Sequence, residues 1–115
     1  MAKTISRSTL LGISLKNQVI ARTERSRRSQ SQELQFLILL GLNCKKLARS
    51  PDGAIEGVVI EDENTSAGRI CWYPDEALYK RFKAFASSNP ELEGLSESQI
   101  ARVVVVTALY SEGLL

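Results

Sequence analysis

Ser29-Gln30-Ser31-Gln32 and, 67 residues further on, Ser96-Glu97-Ser98-Gln99 open the two most apolar stretches of the chain. Each has the form of a capping box: a serine whose hydroxyl accepts from the third helical N–H, and a Gln at that third position that reaches back. After the first box, Leu34, Leu37, Ile38 and Leu42 recur at i, i+3, i+4 and i+8, the spacing of one buried helix face. Phe36, Leu39 and Leu40 spread the apolar character round the helix, which is therefore expected inside an assembly. Gly41 falls within this run, where close helix packing explains a missing side chain. Lys45, Lys46 and Arg49 suit the C-terminal end. After the second box come Ile100, Val103, Val104, Val105 and Leu109. Four consecutive valines lower helix propensity, so packing must hold this helix. The common offset sets Leu37 on Val104, Ile38 on Val105 and Leu42 on Leu109.

The segments upstream of the two boxes also match in order. Residues 1–15 read as extended chain, with Leu11, Ile13 and Leu15 alternating at a period of two and Gly12 weakening the strand. A helix is expected from about Ser14 or Asn17 to Ser26, with Val19, Ile20 and Thr23 as a thin apolar face. In the second half, Arg69-Ile70-Cys71-Trp72-Tyr73 is the clearest strand of the chain. Pro74 ends it at a helix start, and Leu78, Phe82, Phe85 and Ala86 mark a helix face that Asn89-Pro90 terminates. Ser50-Pro51-Asp52-Gly53 is a break, and Val58-Val59-Ile60 a possible short strand in an acidic stretch. The chain is thus expected to divide into a first, basic repeat (1–50), an acidic linker (51–66) and a second, acidic repeat (67–115).

Strand, helix, an Arg/Gly-Ser turn and a capped apolar helix, given twice, resemble the ribbon-helix-helix superfamily of Arc- and MetJ-type DNA-binding proteins. Arg27-Arg28-Ser29-Gln30-Ser31-Gln32-Glu33-Leu34 and Gly94-Leu95-Ser96-Glu97-Ser98-Gln99-Ile100 are similar to the family's turn and second-helix start. Tyr73-Pro74-Asp75-Glu76-Ala77-Leu78 is similar to its strand-to-helix junction. The first repeat lacks the proline there and has a first helix about one turn short; the second carries extra residues, Pro90 to Glu93. The resemblance implies a mainly α fold with short β-strands, in which the two strands pair as an antiparallel ribbon packed on four helices. Two repeats in one chain then make an intramolecular pseudo-dimer.

Composition narrows the chemistry. The chain has no histidine, which removes the usual general base and the commonest metal ligand. Cys44 and Cys71 stand in no metal-ligand spacing and read as ordinary thiols. There is no catalytic constellation and no Gly-rich phosphate loop, so an enzyme, a cofactor, a bound metal and a small-molecule substrate are not expected. No apolar run reaches the roughly 18 residues of a membrane span, and a cytoplasmic location is the default expectation. Charge is divided unevenly. Residues 1–50 hold ten Lys and Arg against Glu24 and Glu33, and residues 51–115 hold five against eleven Asp and Glu. A basic half points to a polyanionic partner.

The expectation is therefore sequence-specific binding of double-stranded DNA through a ribbon in the major groove, by a transcriptional repressor or a DNA-processing accessory factor that can oligomerise on adjacent sites. Candidate base readers are Ser6, Arg7, Ser8 and Thr9 in the first strand and Arg69, Cys71 and Tyr73 in the second, since Arg pairs with guanine and hydroxyls donate or accept. If the first strand is instead Leu11-Ile13-Leu15, the groove-facing set becomes Leu10, Gly12 and Ser14. Ile70 and Trp72 are expected in the core. Candidate phosphate contacts are Arg27, Arg28, Ser29 and Ser31 and their counterparts Ser96 and Ser98, at helix N-termini that leave N–H groups free. Glu91, Glu93 and Glu97 oppose that role in the second repeat. The competing expectation is a protein-interaction module, such as an antitoxin or an oligomerising adaptor.

Overall fold

The computed structural model describes residues 7–11, 13–50, 52–56 and 69–112. In chain order they form β1 (Arg7–Leu10), α1 (Ile13–Ser26), α2 (Gln30–Leu42), β2 (Arg69–Trp72), α3 (Glu76–Ser88), a 3-10 turn (Pro90–Leu92) and α4 (Glu97–Ser111). The strands pair antiparallel, with Arg7 opposite Trp72, Ser8 opposite Cys71, Thr9 opposite Ile70 and Leu10 opposite Arg69. Among the described residues the fold is thus mainly helical with one two-stranded antiparallel sheet. Ser6 and the Val58–Ile60 stretch lie outside the described residues.

The first strand is shorter than a period-two reading through Leu15 implies. It stops at Leu10, and Leu11, Leu15 and Val19, four residues apart, become one buried stripe along α1 and its approach. Leu11 and Leu15 satisfy either period; burial against the helices decides for the helical one. Consequently α1 has 14 residues and α3 has 13, so the first helix is not a turn short. At the second junction the cap is Asp75, whose side chain accepts from the Leu78 N–H, and Pro74 lies buried just before it rather than inside the helix.

Both capping boxes form. Ser29 accepts from the Gln32 N–H and Ser96 from the Gln99 N–H, while each Gln side chain accepts from its cap's own N–H. Helix α4 is the axis of the core: every residue from Ile100 to Leu109 is buried. Each fully buried valine contributes about 1.5–3 kcal/mol, whereas its lower propensity costs no more than about 0.7 kcal/mol, so packing wins by a clear margin. The expectation of a helix enclosed on all sides fits α4 better than α2. Leu34, Leu37, Ile38 and Gly41 of α2 are buried, but Phe36 and Leu40 are half-buried and Leu39 is exposed.

One hydrophobic cluster takes Leu11, Leu15, Val19, Leu34, Leu37 and Ile38 from the first half and Ile70, Trp72, Phe82 and the α4 valines from the second. Ion pairs tie the halves together as well: Arg7 with Glu97, Arg22 with Glu112 and Arg49 with Glu91. After α2 the chain turns at Gly53 (φ 88°), bridges Arg49 to Ile55, and hangs on α4 where the Ala48 N–H donates to Thr107 Oγ1 at 3.0 Å.

Candidate nucleic-acid interface

Strand alternation divides the ribbon into two faces. Thr9, Ile70 and Trp72 point into the core, and Ser8, Arg69 and Cys71 point to solvent. Tyr73, just beyond β2, is 47% exposed. Aligning α1 on α3 by 63 residues sets Leu15 on Leu78, Val19 on Phe82 and Ser8 on Cys71. Ser8 and Cys71 are also directly opposite each other in the ribbon. The offset grows to 67 at α4 because of four residues, Pro90 to Glu93, whose first three form the 3-10 turn.

Two of the candidate base readers in β1 are not on the solvent face. Thr9 is fully buried, and its Oγ1 accepts from the Trp72 indole N–H at 3.0 Å. Arg7 lies at the end of the inner row, opposite Trp72, and its guanidinium is bound within the chain. Nε donates to Glu97 Oε1 at 2.7 Å and Nη2 to Oε2 at 2.5 Å. The physical reason is parity: with Ile70 and Trp72 inward, the antiparallel register puts Thr9 and Arg7 on their side. The Tyr79 hydroxyl donates to the same carboxylate at 3.1 Å. Burial pushes the Glu97 carboxyl up, but the hydrogen bonds from Arg7 and Tyr79, with the charges of Arg7 and Lys83, outweigh it and hold it below the usual carboxylate range. Glu97 and Tyr79 are organising residues that no local pattern marks; only the parity of Arg7 points toward them.

Among the phosphate candidates, Ser29 and Ser96 are exposed caps. Ser31 donates its hydroxyl to the Cys71 carbonyl at 2.5 Å, which seats the start of α2 on β2. Ser98 lies in the first turn of α4 and is half-buried. Arg28 stacks over Phe36, 4.3 Å from the ring centroid, and reaches Glu33 at 3.4 Å. Glu33 is fully buried; it accepts from Ser26 Oγ at 2.6 Å and from Arg22 at 3.3 Å, and so braces the α1–α2 turn. Arg25 and Arg27 are exposed beside it.

Arg27 holds a left-handed backbone (φ 61°), the conformation that Gly94 (φ 83°) takes at the equivalent place in the second half. An L-residue there costs about 1–2 kcal/mol, partly offset because glycine gives the unfolded chain more freedom to lose, about 0.5–1 kcal/mol. Arg27→Gly is therefore expected to raise stability by about 0.5–1 kcal/mol, read as a higher denaturation midpoint. A lower midpoint would mean that the Arg27 side chain supports the fold itself.

Charge is not split simply between halves. The five acids Asp52, Glu56, Glu61, Asp62 and Glu63 fall in residues 51–66, which hold no Lys or Arg, whereas residues 67–115 carry five bases against six acids. Residues 67–115, expected to be acidic, are thus nearly balanced, and α3 presents Lys80, Arg81 and Lys83 as exposed bases. No group of three or more potential metal ligands occurs among the described residues. No helix among the described residues is long and apolar enough to cross a membrane. No family model matches the chain, and neither a curated protein nor a solved structure proved similar to it.

Proposed function

We propose that this chain is a tandem ribbon-helix-helix protein, an intramolecular pseudo-dimer that binds double-stranded DNA by laying its two-stranded ribbon in the major groove. The observation that carries this reading is the ribbon itself: its inner row is built into the helical core, and its outer row of Ser8, Arg69 and Cys71 faces solvent. A ribbon of two strands is the right width for the major groove, where base edges present distinct donor and acceptor patterns. Arg69 is the bidentate partner for a guanine, and Ser8 offers a hydroxyl to either kind of edge. Phosphates are held by Arg25 and Arg27 at the α1–α2 turn and by the free N–H groups that open α2. Because β1 and β2 differ in sequence, the DNA site need not be a palindrome. Such a protein acts as a repressor or as a factor that marks a site for DNA processing.

The test compares two arginine variants on DNA selected by the wild-type protein. Arg69→Ala is expected to lose about 1–3 kcal/mol of discrimination at one base-pair position with little change for unrelated sequences. Arg27→Ala is expected to weaken binding to all sequences alike and to flatten the salt dependence by about one unit. Equal effects of the two on every sequence would remove the ribbon as the reader.

A further inference from the structure

We infer that Glu97 is an internal surrogate for a DNA phosphate, which holds Arg7 against the protein so that the ribbon grips one flank of its DNA and the recognised site is lopsided. The inference rests on the DNA-binding reading above. Arg7 opens β1 at the end of the ribbon, and its two-point contact with Glu97 is the fork that arginine makes with phosphate. The Tyr79 ring lies 5.4 Å from the guanidinium carbon, and its hydroxyl completes the carboxylate's shell. Glu97 stands in the first turn of α4, where the helix dipole favours a negative charge.

Among the described residues, the first half shows no equivalent of this arrangement. The positions related to Glu97, Tyr79 and Arg7 are Gln30, Lys16 and Ile70. There α2 meets the ribbon through the neutral Ser31–Cys71 hydrogen bond, with exposed Arg25 and Arg27 just upstream. One side of the ribbon therefore has arginines open to solvent, and the other has its arginine already satisfied. The side chains of Arg7 and Glu97 are 39% and 21% exposed, so the pair is within reach of solvent and of a competing anion.

Glu97→Gln gives the second half the residue type of Gln30 and tests the inference directly. Glu24→Gln, at an exposed position on α1, is the control for net charge. The readouts are salt dependence of affinity for DNA selected by the wild-type protein, hydroxyl-radical footprints and thermal melts. Glu97→Gln is expected to steepen the slope of log K against log salt by about one unit and to extend protection on the flank next to β1. Glu24→Gln is expected to leave the slope unchanged, and adding Arg7→Ala to Glu97→Gln is expected to cancel the gain. If Glu97→Gln does not fold, Glu97→Asp, which withdraws the carboxylate by one methylene, is read in the same way. A symmetric wild-type footprint, an unchanged slope, an equal gain from Glu24→Gln or a gain that survives loss of Arg7 overturns the inference. Failure of the wild-type protein to bind DNA overturns the DNA reading and this inference together, whereas normal wild-type binding with an unchanged slope overturns this inference alone.

Discussion

Gly41→Ala is expected to destabilise the protein by about 3 kcal/mol, at the top of the range usual for overpacking a core, although the same change on an exposed helix would stabilise by about 1 kcal/mol. A Cβ at Gly41 would collide with the Val104 carbonyl oxygen and stand 2.7 Å from its Cγ1. The first contact is with backbone, so no rotamer change relieves it. The α2 and α4 axes must separate, and α4 packs principally on α2. Separation opens the Leu37, Ile38, Val104 and Leu109 layer, all fully buried. Urea denaturation followed by circular dichroism reads the loss as a lower midpoint with an unchanged slope. A variant as stable as the parent would mean that the two helices do not touch this closely.

Trp72→Ala is expected to cost about 3–5 kcal/mol, a large part of the roughly 5–15 kcal/mol that holds a domain of this kind folded. Trp72 is fully buried, packs edge-on against Phe82 with centroids 5.6 Å apart, and donates its indole N–H to the buried Thr9 hydroxyl. It therefore joins β2 to α3 and to β1 at once. Truncation removes the ring contact and leaves a buried hydroxyl without its donor. Trp72→Phe keeps most of the packing and loses the hydrogen bond, so it should fall between the parent and Trp72→Ala. A Trp72→Ala variant within about 1 kcal/mol of the parent, the size of an ordinary surface change, would place this side chain outside the core.

The parts of the fold visible in the sequence are those whose physics is local. The caps at Ser29 and Ser96 need only the four residues of each box. The strand at Arg69–Trp72 announces itself by alternation, with Arg69 and Cys71 exposed and Ile70 and Trp72 buried. Gly41 is legible as a close approach because a glycine in the middle of an apolar helix costs about 1 kcal/mol against alanine, a cost that tight packing against a neighbouring helix repays. What the sequence hides is tertiary. Leu11 and Leu15 fit a strand of period two or a helical stripe, and only burial alongside Val19 separates the two. With that boundary open, the parity of β1 is open as well, which is why Arg7 and Thr9 read as groove residues when both belong to the inner row. The Glu97 contact joins residues 90 positions apart, and the buried Glu33 brace depends on how α1 meets α2. Neither leaves a mark in local spacing. Arg27 carries no local signal of its left-handed backbone; only its equivalence to Gly94 reveals it.

Selection of bound sequences from a random double-stranded DNA pool tests the central claim most directly. The expected result is convergence, at moderate salt, on a short site without two-fold symmetry, containing a guanine whose enrichment disappears with Arg69→Ala. Recovery of no preferred sequence at any salt concentration would contradict it.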